Sequence, residues 1–197
     1  SRSVALWWTL LVFAIGVAMW PLGALYCHVP APLWSAYLDC VHTFRKNGKT
    51  YFWGALLLPW ERFFHTAAIY ALMRTADDLV DSLEDAHRRR TRLNEFRKCV
   101  ESHLRGDADA DSNVDHAHVE IIRAAVHAAH ESQIDDTLFE RFFGAMAHDC
   151  QRTCVIHTME QLMAYMDGSA AIVGELMLCV MNAPRTERVT HAARSLG

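Results

Sequence analysis

The sequence predicts an all-helical (all-α) protein. Apolar residues recur at helical spacing through most of its 197 residues, and no segment alternates cleanly between apolar and polar residues as a half-buried strand would. It contains no glycine-rich phosphate loop and no internal repeat. A composition of 52% hydrophobic and 21% charged residues is that of a folded domain, and the net charge of −4 argues against a nucleic-acid partner.

The chain divides into a membrane segment with its linker, residues 1–32, and a helical domain, residues 33–197. Residues 4–26 carry no charge, and as a helix rising ~1.5 Å per residue they would span the ~30 Å core of a bilayer. Trp7, Trp8, Trp20 and Tyr26 lie toward its two ends, where amphipathic rings favour the membrane interface. We therefore expect one transmembrane helix and a membrane-associated protein.

The charges around this segment predict its orientation. Arg45, Lys46 and Lys49 follow the apolar run, whereas only Arg2 precedes it. Positive charge accumulates on the cytoplasmic side of membrane helices, so the helical domain is expected on that side. An uncleaved signal sequence or a buried core helix remains an alternative for the same residues.

Beyond the linker, breaks at Asn47-Gly48, at Pro59 and in the acidic stretch 106–115 separate the helical patterns. Pro59 suits the first turn of a helix, where its missing N–H is not needed. The predicted helices cover residues 33–45, 49–58, 59–80, 87–104, 118–130, 137–154, 159–181 and 187–196.

The strongest chemical signal is an acidic triplet, Asp77, Asp78 and Asp81, in an otherwise apolar helix. At about 100° per residue, Asp77 and Asp81 lie about 40° apart, with Tyr70 and Arg74 on the same face. Burying two such carboxylates is costly unless a cation accompanies them. Hard oxygen ligands suit magnesium, with manganese as the alternative, and Arg74 suits a diphosphate oxygen. The competing interpretation is an acidic helix end that faces water.

Three motifs in order resemble the squalene/phytoene synthase family. The first is Asn-Gly-Lys-Thr-Tyr-Phe at residues 47–52, followed by Leu-Leu-Pro at 57–59. The second is the helix over 69–81 that ends in the acidic triplet, and the third is Tyr-Met-Asp-Gly-Ser-Ala-Ala-Ile-Val-Gly-Glu at 165–175. The Gly-Ser-Ala-Ala form of the third motif is most similar to bacterial phytoene synthases. The resemblance covers about residues 34–197.

The resemblance implies an isoprenoid (terpenoid) synthase helical bundle and gives roles to residues of all three motifs. The residues expected in catalysis are Asp77, Asp81 and Tyr70. The residues expected to bind the metal are Asp77, Asp78 and Asp81. The residues expected to bind diphosphate are Arg74, Lys49 and Thr50, and those expected at the prenyl chain are Tyr51, Tyr165, Ala170, Val173 and Gly174.

The small residues between 168 and 174 allow two interpretations. Small side chains let helix backbones approach closely, which would make the stretch a packing contact. They would equally thin the wall of a cavity in which a long polyprenyl chain lies. The resemblance favours the second interpretation.

The activity that the resemblance implies is a head-to-head prenyl transfer. Two geranylgeranyl diphosphates would condense to phytoene through a cyclopropylcarbinyl diphosphate, in carotenoid biosynthesis and without NADPH. The alternatives are a squalene or dehydrosqualene synthase acting on farnesyl diphosphate, and a non-catalytic, membrane-tethered assembly subunit. An unrelated membrane helical bundle is a further alternative, and residues 4–26 could also be the last span of a fused or associated lycopene cyclase.

The family's second aspartate-rich motif is expected soon after an Ala-Arg-x-Leu-Gly sequence, which here stands at residues 193–197. The Asp109/Asp111 pair, in a predicted loop, and the Asp135/Asp136 pair, at a predicted helix start, are poor substitutes. The 197-residue chain alone is therefore expected to form an incomplete bundle, to hold half a metal site and to be catalytically deficient.

Overall fold

The computed structural model describes residues 29–82, 85–107, 114–150 and 157–196. Every regular element in these ranges is helical, which confirms the predicted fold class. A short 3₁₀ turn at Ala31–Leu33 precedes the first α-helix. The α-helices are α1 Trp34–Asn47, α2 Lys49–Ala55, α3 Trp60–Asp81, α4 Ala86–Arg105, α5 His116–Glu131, α6 Asp136–Asp149, α7 Met159–Val180 and α8 Glu187–Arg194.

Helix α3 is the centre of the fold. It packs against α1, α4, α5, α6 and α7, and a helix that is apolar on nearly all sides is stable only when neighbours cover it in this way. Ala67, Ala68, Ala71 and Ala76 are fully buried on α3, and their small side chains let the surrounding helices approach. The end of α3 that carries the acidic triplet is therefore positioned by most of the bundle.

Helix α7 runs antiparallel to α3. Arg62, in the first turn of α3, donates a hydrogen bond from Nη1 to the carbonyl oxygen of Val180, the last residue of α7, at 2.6 Å. The carbonyls at a helix C-terminus lack partners within the helix and carry partial negative charge, so a guanidinium is a favourable partner there. This contact places the start of α7 beside the end of α3.

Side-chain caps set most helix starts close to the predicted positions. The capping residues, each accepting a hydrogen bond from a backbone N–H of the first turn, are Asp85, Asp115, Asp135, Thr158 and Thr186. The prediction of one helix over 137–154 was wrong at its C-terminal end, because α6 ends at Asp149. There the buried side chain of Arg89 donates from Nη2 to the Cys150 carbonyl oxygen at 2.8 Å.

Gly48 joins α1 to α2 at the predicted break. A Cβ at this position would overlap the ring of Phe44, so the turn requires glycine for space. The Phe44 ring in turn contacts Phe52 of α2 and Tyr70 of α3, with ring centroids 5.5 and 4.6 Å apart. The tight turn thus brings Phe52 of α2 onto Phe44 and onto Phe63 in the first turn of α3, with ring centroids 5.8 Å apart in the second pair.

The predicted transmembrane segment, residues 4–26, lies outside the described residues. Within the described ranges, no helix combines the length and the apolar character that a membrane span requires.

A polar cluster lies between α1, α3 and α5. The Tyr37 hydroxyl is 2.9 Å from His127 Nδ1, and Ser132 Oγ is 3.5 Å from Nδ1 of the buried His65. His65 Nε2 has no hydrogen-bond partner among the described residues. Burial lowers the pKa of both histidines, although the nearby Glu131 opposes this shift.

We expect the free energy of unfolding to decrease as the pH falls below about 6.5, the pKa of an unperturbed histidine. Below that value the unfolded chain takes up protons that the buried His65 and the half-buried His127 resist, so acid favours the unfolded state. Urea denaturation of the wild type and of His65→Phe between pH 7.5 and 5.5 measures this effect. The variant should lose less stability over the range, and an equal loss in both proteins would contradict the prediction.

Candidate active site

The end of α3 carries the acidic triplet, and an arginine one turn earlier pairs with it. Arg74 donates from Nη1 to Asp77 Oδ2 at 3.0 Å and from Nη2 to Asp78 Oδ1 at 2.5 Å. The side chains of Arg74, Asp77 and Asp78 are 36%, 45% and 56% exposed. The triplet therefore lies at the edge of the bundle, partly covered and within reach of a solute.

Asp77 is the least exposed acid of the triplet, and its pKa is raised above the usual value for an aspartate. Burial raises the pKa of this carboxyl, the Asp81 carboxylate raises it further, and the Arg74 guanidinium lowers it. Asp78 has a smaller influence than Asp81, as expected for residues on different faces of the helix. The arrangement leaves more negative charge than Arg74 alone can balance.

A fourth carboxylate, Asp149, approaches the triplet from the end of α6. Its pKa is raised mainly by burial and additionally by Asp81, and Asp149 in turn raises the pKa of Asp77. The phenol of Tyr165, early in α7, donates a hydrogen bond to Asp149 Oδ2 at 3.2 Å. The ends of α3 and α6 and the start of α7 thus meet at one edge of the bundle, which forms the mouth of the candidate site.

Asp149 is a site residue that the sequence analysis missed. It was placed inside a long predicted helix without an acidic neighbour one turn away, so no local pattern distinguished it. Two acidic pairs were compared with the family's second aspartate-rich motif. Of these, Asp109 and Asp111 lie outside the described residues. Asp135 caps α6, accepting from the Thr137 backbone N–H at 2.9 Å, as predicted for a helix start.

Tyr70 lines the same side of α3 one turn before Arg74. Its ring packs against Phe44, and burial raises the pKa of its hydroxyl while the Arg74 guanidinium lowers it. Tyr70 is half-buried, and it lies where the aromatic core around Phe44 meets the charged groups around Arg74. The structure brings it together with Arg74 and Asp77, as the helical spacing predicted.

The first turn of α2 carries Lys49, Thr50 and Tyr51, and all three side chains are exposed. Tyr51 is 73% exposed and does not line a closed cavity formed by the described residues. The neighbouring Phe52 is buried, and its ring contacts Phe44 of α1 and Phe63 in the first turn of α3. The diphosphate and prenyl roles of the exposed residues remain predictions.

The sequence profile of the squalene/phytoene synthase family matches residues 44–197. The chain belongs to the squalene/phytoene synthase family. Members are prenyltransferases whose general chemistry is head-to-head prenyl transfer, and they typically use a divalent metal. A comparison with curated proteins gives no match.

The carboxylates of this squalene/phytoene synthase chain fit a divalent cation in part. Among the residues that the structure describes, no group of three or more His, Cys, Asp or Glu side chains is arranged to hold a metal ion. Magnesium needs fewer protein ligands, since it commonly binds through one or two carboxylates together with substrate phosphates. Asp77 and Asp81, with their unbalanced negative charge, suit that mode of binding.

The third family motif has a packing function on α7. A Cβ on Gly174 would overlap the backbone carbonyl of Ala193 and lie 3.0 Å from the amide nitrogen of Arg194, so α8 passes directly over this glycine. Next to it, Glu175 accepts from Arg141 at 2.9 and 3.2 Å and also pairs with Arg194. The close helix contact accounts for Gly174 without a substrate.

Ala170 and Val173 are half-buried on the same helix. Val173 packs against the edge of the hydrophobic core, which is compatible with the wall of an apolar cavity. The prenyl-binding roles of Ala170, Val173 and Gly174 remain predictions.

Gly174→Ala should destabilise the protein by about 1–3 kcal/mol, because the added methyl group must displace the backbone of α8. Gly144→Ala is the matched control, since this glycine lies in the interior of α6 with nothing within 4 Å of an added Cβ. The control should gain up to about 1 kcal/mol from helix propensity. Urea unfolding measures both variants, and equal stability changes would contradict the packing function.

Proposed function

We propose that this chain belongs to a head-to-head prenyltransferase of the phytoene synthase type, built on an isoprenoid synthase helical bundle. Its substrates would be two geranylgeranyl diphosphates, joined to phytoene through a cyclopropylcarbinyl diphosphate. The observation that carries the proposal is the half-buried Asp77 carboxylate, with Asp81 and Asp149 close by and Arg74 alongside. Such a group of charges at the edge of an apolar bundle suits a metal-bound diphosphate.

Asp77 and Asp81, with Asp78 assisting, are the residues that would hold magnesium. Bound there, the metal would neutralise the departing diphosphate and assist cleavage of the allylic C–O bond. Arg74 is paired with Asp77 and Asp78 in the free protein. Its guanidinium could instead turn toward a diphosphate oxygen when these carboxylates are neutralised, and Lys49 and Thr50 would add donors from α2.

Allylic cations must be kept from water, and the apolar side chains near the mouth would provide that protection. Tyr70 stacks on the buried Phe44 at the base of the charged groups, and Val173 adjoins the core on α7. Tyr51 and Ala170 would complete the prenyl-binding surface, whereas Gly174 would contribute by letting α8 pack against α7. The bundle would supply a dry wall, with the charged groups of the site at its edge.

The choice of product and cofactor rests on the resemblance of the third motif. Its Gly-Ser-Ala-Ala form is similar to bacterial phytoene synthases, which make their product without NADPH. We therefore propose a role in carotenoid biosynthesis with magnesium, or manganese in its place, as the sole cofactor.

We also propose that the protein works at a membrane, with its helical domain on the cytoplasmic side. The uncharged residues 4–26 support an anchor, and prenyl diphosphates and phytoene are lipid-like molecules. A lycopene cyclase, fused or associated, is the proposed membrane partner.

Binding of a non-hydrolysable geranylgeranyl thiolodiphosphate, measured by calorimetry with and without Mg²⁺, tests the proposed function. Binding should require Mg²⁺, and Asp77→Ala should weaken it at least about tenfold, or ~1.4 kcal/mol of binding free energy. Asp136→Ala is the control, because this exposed aspartate lies at the opposite end of α6 from Asp149. It should change the affinity less than about twofold.

Magnesium-independent binding, or equal affinities for Asp77→Ala and wild type, would contradict the assigned metal site. A folded wild-type chain that binds no prenyl diphosphate at all would contradict the proposed substrate-binding site.

A further inference from the structure

Helix α4 is the most basic helix that the structure describes. It carries seven Arg or Lys residues and two Glu residues, a net charge of +5 with histidine counted as neutral. Because the whole chain has a net charge of −4, the rest of the sequence carries a net charge of −9. The protein therefore concentrates positive charge on one helix of an otherwise acidic chain.

One side of α4 is buried, and this side determines which way the charged side faces. Leu93, Phe96 and Val100 are each at most 1% exposed. Arg89, on the same side, is 2% exposed and donates from Nη2 to the Cys150 carbonyl oxygen at the end of α6. Since these contacts hold the buried side against the bundle, the opposite side of the helix is directed into solvent.

The outer side of α4 is a basic strip that runs along the helix. Its exposed basic side chains are Arg88, Arg90, Arg92, Lys98 and Arg105. At ~1.5 Å per residue, this 20-residue helix is about 30 Å long. None of the large apolar side chains that stand exposed among the described residues lies on α4. The strip thus offers charge over a long surface and no apolar centre of the kind that protein interfaces bury.

Two cations in the middle of the basic strip are available to an external partner. Arg90 and Lys98 lie two turns apart with the exposed Asn94 between them, and neither forms an ion pair with the residues that the structure describes. Glu101, one turn beyond Lys98, is paired with Arg97 at 2.5 Å. The acids of α4 therefore leave the charge of Arg90 and Lys98 unbalanced.

The first turns of the basic strip lie beside the mouth of the candidate site. Helix α4 begins at Ala86, shortly after α3 ends at Asp81. The hydrogen bond from Arg89 joins this part of α4 to Cys150, the residue that follows Asp149. A surface that contacts the strip would therefore also lie next to the mouth.

We propose that the basic strip of α4 docks on the surface of a lipid bilayer that contains anionic phospholipids. Each Lys or Arg near such a surface strengthens binding about fivefold. The acidic remainder of the chain would be repelled by the same surface, so the charge distribution selects the side that faces it. This inference rests on the proposed function, because the substrates and product of prenyl transfer are lipid-like and a docked mouth would exchange them with the bilayer.

Fluorescence quenching on the full chain tests the docking. A coumarin amino acid is incorporated at position 94, within the basic strip, and the protein is mixed with vesicles that contain a headgroup-spin-labelled lipid as quencher. Vesicles with about 30% phosphatidylglycerol should quench the label at least about twofold more than vesicles of phosphatidylcholine alone. About 0.5 M NaCl should remove the difference, because salt screens exposed charges. The label reports on the strip even where another segment holds the chain at the bilayer.

Two double variants show which charges are responsible. Arg90→Gln/Lys98→Gln should lower the quenching in phosphatidylglycerol vesicles to nearly the value in phosphatidylcholine. Arg123→Gln/Arg188→Gln is the matched control, because it removes two exposed positive charges from α5 and α8, and it should quench as the wild type does. The same label at position 140, on the exposed side of α6, should be quenched less than the label at position 94.

Equal quenching in both kinds of vesicle, or equal quenching of Arg90→Gln/Lys98→Gln and the wild type, would overturn the docking. The measurement contains no prenyl diphosphate, so it is separate from the test of the proposed function. A wild type that docks but binds no geranylgeranyl thiolodiphosphate contradicts the proposed function alone. A wild type that binds this ligand but does not dock contradicts the present inference alone.

Discussion

The organisation of this protein depends on the electrostatic cost of placing carboxylates at the C-terminal end of its central helix. The aligned peptide dipoles of α3 already give that end partial negative charge, so Asp77, Asp78 and Asp81 stand where cations are normally favoured. Half-burial of Asp77 adds a desolvation cost, which Arg74 only partly offsets. The bundle tolerates this local cost because the rest of α3 is buried among apolar neighbours, and a bound cation would relieve it.

The mouth is a meeting point of helix ends. The contact from Arg62 to the last residue of α7 fixes the antiparallel arrangement at one end of the bundle, so the start of α7 meets the acidic triplet at the other. In the C-terminal half of α7, Gly174 leaves room for the backbone of α8, and Glu175 pairs with Arg194 of α8. The polar groups of the candidate site are thereby collected at the edge of the bundle.

Much of the fold and part of the site could be predicted because the signals are local. Helical periodicity and the breaks at Asn47-Gly48 and Pro59 placed the helices, and spacing of three, four and seven residues placed Tyr70, Arg74, Asp77 and Asp81 on one side of α3. The end of α6 could not be predicted in this way. It depends on the side chain of Arg89, which comes from a helix 61 residues away in sequence.

By itself, the sequence determined the helical class, the family and the acidic face of α3, because helical periodicity and capping act over one or two turns of chain. Only the tertiary structure decided that Asp149 approaches the triplet, that Tyr165 donates to it, and that Gly174 makes room for α8. Each of these contacts joins residues of different helices. Their proximity follows from how the apolar surfaces pack together, which no short stretch of sequence specifies.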